Sequence, residues 1–148
     1  MERRLRDALP KGGFARVAAK RSRLMSRIRG KHNVSTEVTL RMALVRARMT
    51  NWQMHQRVSD VRVDFQFPSE RLVVFVDGCF WHGCAKCFKG PRTRTGYWIA
   101  KIDSNRNRDR RNSVALRRDG WRVLRVWEHE LDRLERVVAR IRWELLDR

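Results

Sequence analysis

The run Asp77-Gly78-Cys79-Phe80-Trp81-His82-Gly83-Cys84-Ala85-Lys86-Cys87 concentrates groups that could do chemistry. Three thiols fall at spacings of five and three, directly after the apolar stretch 71–76. A clustered, odd set of cysteines with histidines nearby suits a metal better than disulfides, and implies a reducing compartment. A structural zinc site needs four such ligands. The fourth is His82 or His129. The second is favoured: it follows the apolar stretch ending at Trp127 and would tie two strand ends together, leaving His82 for reaction.

Asp64, Asp77 and Asp109 are acids that a sheet could bring to one lip beside His82. Such a cluster is costly to assemble without a cation or a proton to stabilise it. Carboxylates for magnesium and a neutral imidazole for a water proton are what phosphodiester hydrolysis requires. In this reading His82 is the base and Asp109 holds its ring. Phe80 and Trp81 have no strand or helix period to explain them, and an exposed aromatic pair can wedge between base pairs. The plainer alternative is packing against the zinc site. Glu37 falls in the first turn of a helix, where an acid usually serves only the helix dipole.

The elements that must position these residues follow from periodicity. Ser35 can cap a helix to about Met49, with Val38, Met42, Val45 and Met49 repeating beside Leu40, Ala43, Leu44 and Ala47. Residues 52–58, 61–67 and 71–76 read as three antiparallel strands. In the second, Val61, Val63, Phe65 and Phe67 would share one face and Asp64 the other. A four-residue loop at 68–71 sets Phe67 opposite Leu72, and makes Asp64 and Asp77 diagonal neighbours on one face. Thr93–Arg118 suits a long helix with Trp98, Ile102, Asn105, Asp109 and Leu116 on its buried stripe. Trp121–Trp127 is then a strand parallel to the third, and Leu131, Leu134, Val138, Ile141 and Leu145 mark a closing helix. The fold class is α/β, a mixed central sheet flanked by helices.

The 148 residues carry 35 Lys or Arg against 16 acids, a formal charge of +19 and a pI near 11.6, which points to a polyanionic partner. No apolar run approaches the roughly 20 residues of a membrane span, and no signal peptide is evident, so a cytoplasmic protein is expected. Residues 1–31 hold eleven basic and two acidic residues. They read as a basic arm that lies along phosphates, and 32–148 as a single domain.

With these residues placed, the chain resembles the very-short-patch-repair (Vsr) DNA mismatch endonucleases. The resemblance is carried by Met25-Ser-Arg-Ile-Arg29, Val63-Asp-Phe65, Val74-Phe-Val-Asp-Gly-Cys-Phe-Trp-His82, Arg108-Asp-Arg-Arg111 and Gly120-Trp-Arg-Val-Leu-Arg-Val-Trp-Glu128, and spans about residues 22–145. It implies a restriction-endonuclease-like core, related to the PD-(D/E)XK fold. It also implies magnesium-dependent nicking 5′ to the thymine of a T:G mismatch, the product of 5-methylcytosine deamination. By that resemblance Asp64 binds magnesium with the backbone carbonyl of Val76, His82 is the base, Asp109 its partner and Glu37 a further active-site acid. Phe80 and Trp81 enter beside the mismatch from one groove, and Met25 from the other side.

Two departures stand out. Asp77 replaces a histidine of the best-known members, which makes it a further candidate magnesium ligand. The zinc set becomes Cys79, Cys84, Cys87 and His129, where relatives mix histidine and cysteine differently. The expected partner is double-stranded DNA bound by a monomer, in a bacterial nucleoid, with a functional link to a cytosine-5 methyltransferase and later repair proteins. The competing functions are a nuclease for matched duplex and a non-catalytic zinc-stabilised DNA-binding module.

Overall fold

The computed structural model describes residues 36–87 and 94–147. The basic arm with Met25, the capping Ser35 and the helix start at Thr93 lie outside them. The described residues form a helix over 36–46 (α1), strands β1 (Gln53–Met54), β2 (Arg57–Val58), β3 (Val61–Arg62), β4 (Phe65–Phe67) and β5 (Leu72–Asp77), a long helix α2 (Thr95–Arg118), strand β6 (Arg122–Trp127), a 3-10 segment Glu128–Arg133 and helix α3 (Leu134–Leu146). No helix among them is long and apolar enough to cross a membrane.

The main sheet runs β1-β4-β5-β6, antiparallel except for the β5–β6 pair. Its mixed character follows from the connections. A tight loop joins β4 to β5, setting Phe67 opposite Leu72 as expected, whereas α2 carries the chain across to a parallel β6. Every residue of β5 is buried, because helices cover both faces of this strand. Leu72, Val74 and Val76 pack with Phe65, Phe67, Leu40 and Leu44 of α1, and Val137 and Ile141 of α3. Val73 and Phe75 pack on the opposite face with Val58, Val61, Val63 and Leu116 of α2.

That partition corrects the reading of 61–67 as one alternating strand. Val61 and Val63 belong to one core and Phe65 and Phe67 to the other. The chain is interrupted at Asp64: β3 pairs with β2 through a turn in which Ser59 and Asp60 both have positive φ, while β4 pairs with β1 and β5. A second left-handed residue, His55 (φ 54°), bends the other arm at the same level. Asp64 is therefore not stacked on a sheet face beside Asp77. Its Oδ2 accepts the Val76 backbone N–H at 2.8 Å, a donor that a continuing ladder would have paired.

In α1, Leu40, Ala43 and Leu44 are the buried apolar positions, while the parallel stripe of Val38, Met42 and Val45 faces outward. This helix stops short of Met49, because Arg48 turns left-handed (φ 54°) and Met49 N–H returns to the Leu44 carbonyl. The stripe expected of α2 holds, with Ile102, Ser113 and Leu116 buried and Trp98, Asn105 and Asp109 half-buried.

Candidate active site

The loop after β5 is fixed from three directions. Its own backbone closes in turns, His82 N–H to Gly78 O at 3.2 Å and Cys84 N–H to Cys79 O at 2.9 Å. The facing helix α2 takes three successive carbonyls: Asn105 Nδ2 donates to Trp81 O at 3.0 Å, Arg106 Nε to His82 O at 3.2 Å, and Arg106 Nη2 to Gly83 O. Gly83 sits at φ 60°, and a Cβ there would come within 2.8 Å of Ile102 and 2.9 Å of Arg106, so this close approach requires glycine. At the far side Cys79 N–H donates to Glu128 at 3.1 Å.

The donor atoms of Cys79, Cys84, Cys87 and His129 all lie within 4.8 Å of one another. His129 Nδ1 is 3.3 Å from Cys79 Sγ and 3.5 Å from Cys84 Sγ. A tetrahedral site with metal–sulfur bonds of about 2.3 Å has ligand edges of about 3.8 Å, so these side chains already stand near the required separation. Burial, aided by Cys84 and Cys87, pushes the Cys79 thiol up to about 12. A cation is what stabilises thiolates so placed, and a Cys3His set fits a metal of the zinc type.

Clamped in this way, His82 faces α2. Its Nδ1 lies 2.5 Å from Asp109 Oδ2 and 3.8 Å from Asp77 Oδ1. With Nδ1–H donated to Asp109, the tautomer is set and Nε2 carries the basic lone pair. Burial pulls the His82 pKa down most strongly, but the Asp109 hydrogen bond and the charges of Asp77 and Asp109 outweigh it, and the net shift is upward. Asp109 moves the other way: burial raises it, and the bond to His82 with the charges of His82 and Arg125 brings it below the usual carboxylate range.

Asp77, 5% exposed, is taken by Arg125, whose Nη1 donates to both carboxylate oxygens at 2.9 and 2.7 Å. The other end of that guanidinium reaches Asp109 O and Ser113 Oγ, each at 3.3 Å, and its Cζ lies 4.6 Å from the Phe75 ring centroid. Asp77 is thus held in an ion pair on the α2 face, apart from a second group made by Glu37, His55 and Asp64. In that group all three ligand atoms lie within 4.8 Å of one another. Burial, the charges of Glu37 and Asp77 and a hydrogen bond with Glu37 raise Asp64 to about 7 against the Val76 N–H, and burial also raises Glu37. The sequence-read residues therefore gather as two neighbouring groups, Asp77, His82 and Asp109 on one side of the β5 terminus and Glu37 and Asp64 on the other. An open groove of about 500 Å³ runs beside His82 and Asp109, lined also by Arg106, Arg110, Arg117 and Arg125. Its charge suits a phosphate backbone.

The family model described as DNA mismatch endonuclease Vsr matches residues 16–89. The type II nicking enzyme V.XorIIP of Xanthomonas oryzae pv. oryzae is 42% identical over 130 residues, covering 86% of this chain and 93% of its own. The chain belongs to the Vsr family. DNA mismatch endonuclease Vsr of Escherichia coli (strain K12) is 44% identical over 87 residues, 58% of this chain and 56% of that one, and the type II nicking enzyme V.NaeI of Lentzea aerocolonigenes is 47% identical over 70 residues, 47% and 42% of the two chains. Among solved structures, the catalytic domain of the homing endonuclease I-Bth0305I superposes with a TM-score of 0.52 at 20% identity, over 74% of this chain and 91% of that domain, which establishes a nuclease fold. This Vsr-family chain is a DNA-cleaving enzyme of the endonuclease class.

The aromatic pair of this Vsr-family chain packs on α2. Phe80, Trp81 and Trp98 meet pairwise in edge-to-face contacts, centroids 5.2 to 5.7 Å apart, and Tyr97 adds a fourth ring at 5.2 Å from Trp98. Phe80 remains 37% exposed. Helix α2 is thus a packing partner of both rings. Sequence reasoning missed His55, Arg106, Arg125 and Glu128. Arg125 left a signal: an arginine inside a strand parallel to a wholly buried one needs a buried partner. His55 left none, since its neighbours in sequence are unremarkable.

Proposed function

We propose that the protein is a magnesium-dependent nickase that hydrolyses one strand of duplex DNA 5′ to the thymine of a T:G mismatch, and so begins very-short-patch repair of deaminated 5-methylcytosine. The observation that carries this reading is the His82–Asp109 pair, 2.5 Å apart, at the same strand terminus as the Asp64–Glu37 group. Asp109 orients the imidazole, and Nε2 of His82 takes a proton from the water that attacks phosphorus. The bond to the departing 3′ oxygen breaks, that oxygen is protonated from solvent, and the imidazolium returns its proton to solvent. Arg106 and Asn105 keep the His82 backbone in place by holding the loop carbonyls.

The carboxylates of Asp64 and Glu37, together with the Val76 carbonyl that the resemblance implies, are the groups that would hold magnesium. Two crowded acids of raised pKa suit a divalent cation. Magnesium there would supply charge neutralisation for the scissile phosphate and the leaving oxygen. Asp77, paired with Arg125, serves the position of His82 in this reading rather than the cation. Phe80 and Trp81 would enter beside the mismatch, backed by Trp98, and the basic segment containing Met25 would follow the phosphates.

Nicking of one defined sequence in matched duplex is a second reading, favoured by the likeness to the Xanthomonas and Lentzea type II nicking enzymes. An end-labelled duplex with a single T:G pair, a matched control and a strand-swapped control separates the two. The mismatch reading expects cleavage of the thymine strand alone, in magnesium, abolished by Asp64→Ala and by His82→Ala. Equal cutting of matched duplex would replace it with the second reading, and intact DNA under all conditions would overturn both.

A further inference from the structure

His55 has no part in the chemistry so far, yet it occupies the acidic side of the site. Its Nε2 stands 3.1 Å from Glu37 Oε2, and its backbone N–H donates to the Asp64 carbonyl at 3.1 Å. The left-handed turn at this residue brings the imidazole from the β1–β2 arm to the two carboxylates. Glu37 is 13% exposed and His55 42%, so the histidine is the solvent-facing wall of the group. One imidazole nitrogen and two carboxylate oxygens, all within 4.8 Å of one another and drawn from three separate segments of the chain, form a mixed nitrogen and oxygen donor set.

We propose that His55 completes a cation site with Glu37 and Asp64, and that this site accepts first-row transition ions such as manganese or cobalt more tightly than magnesium. This rests on the reading of the Glu37–Asp64 group as the cation-binding side of a nuclease. The selectivity follows from ligand chemistry. Magnesium prefers oxygen ligands and retains water, whereas imidazole is a good ligand for the later divalent ions, whose affinities rise from manganese to cobalt. Without His55 the remaining donors are oxygens, and the preference for those ions would shrink.

The test uses manganese(II) as the probe on the full chain, with one equivalent of zinc added to occupy the cysteine set. Pulsed electron paramagnetic resonance reads nitrogen directly bound to manganese, independently of any cleavage. The wild type should bind one manganese ion with imidazole nitrogen coupling. His55→Ala should lose the coupling and weaken manganese binding by at least about tenfold, which is the lower end of the effect of losing an outer-shell partner of a metal site. Magnesium affinity should fall less. His82→Gln should keep the coupling, which excludes the neighbouring histidine as its source, and circular dichroism of each variant checks that it folds.

Manganese bound without nitrogen coupling, unchanged affinity in His55→Ala, or no manganese binding by the wild type would overturn the assignment and leave His55 as a hydrogen-bond partner of Glu37. The nuclease reading stands or falls separately. Magnesium-dependent nicking without nitrogen-coupled manganese refutes only the role of His55, while a nitrogen-coupled site on a protein that never cuts DNA refutes only the nuclease.

Discussion

Replacing Arg125 with methionine should destabilise the protein by an amount that its partners allow to be worked out. Methionine keeps an apolar stem over Phe75 but removes the Nη1 group that donates to both Asp77 oxygens, and the Asp77 side chain is 5% exposed. Removing one member of a buried ion pair costs about 3–5 kcal/mol, because the survivor is left charged and unpaired. The guanidinium is 24% exposed, which places the loss near the lower end. Loss of the cation over the Phe75 ring adds roughly 0.5–1 kcal/mol. A total of about 3–4 kcal/mol corresponds to a fall in Tm on the order of 10 °C for a chain of this size.

The decisive comparison is the double variant Asp77→Asn with Arg125→Met. A buried amide without partners costs roughly 1–3 kcal/mol, less than a buried unpaired carboxylate. Adding Asp77→Asn to Arg125→Met should therefore raise Tm by several degrees, although Asp77→Asn alone lowers it. Differential scanning calorimetry on the zinc-loaded protein measures all four species. A single Arg125→Met variant as stable as the wild type would refute the argument, as would additive losses in the double variant. Activity should follow the same cycle, since an unpaired Asp77 lies only 3.8 Å from His82 Nδ1 and competes with Asp109 for it.

Asp109→Asn removes the Asp109 charge and its charge-assisted hydrogen bond, leaving burial, which lowers the His82 pKa, opposed chiefly by the Asp77 charge. Because the base acts when neutral, the rising limb of the kcat/KM profile should move to lower pH while kcat itself falls; a limb that stays put would exclude His82 as the titrating base. If the cysteine set holds a metal as its donors suit, chelation of that metal, or Cys84→Ser, should lower Tm and abolish nicking together, since the cysteines and His82 share one loop; retention of full activity after verified metal loss would show that Asn105 and Arg106 suffice to hold it. Phe80→Ala with Trp81→Ala should reduce discrimination between T:G and matched duplex more than overall affinity, because phosphate contacts survive. Equal losses in a gel-shift titration would identify the pair as packing for Trp98 only.

The secondary structure was legible wherever period and burial agree. The buried β5, five apolar residues closed by Asp77, the parallel β6 and the stripe of α2 through Asp109 to Leu116 all follow from one-dimensional patterns. The cysteine set with His129 was legible because the crossover rule returns β6 beside β5. What was not legible turns on single residues in left-handed conformations. Val61 to Phe67 alternates without fault in sequence, yet the strand changes partners at Asp64, opposite the bend at His55, and a two-residue period cannot register that. Arg125 is similar: its partner is 48 residues away, and only the register pairing Phe75 with Arg125 and Asp77 with Trp127 brings them together.

The break at Asp64 is also what makes the site workable. Had β3 and β4 continued as one strand, the Val76 N–H would have been paired by backbone, and the Asp64 side chain would have stood on a sheet face. Interrupting the ladder frees that donor, and Asp64 fills it, which draws the carboxylate to the edge of β5 beside Glu37 and His55. The opposite face of the same strand end then belongs to Asp77, Arg125 and the His82–Asp109 pair. In the proposed mechanism, two acids that would hold a cation and an imidazole that would take a proton would suppress each other if mixed in a single cluster, since each added carboxylate holds the histidine protonated. Divided across β5, with Arg125 neutralising Asp77, the second carboxylate beside the imidazole, His82 can stay basic in the proposed mechanism while Asp64 and Glu37 stay close enough together to hold the proposed divalent ion.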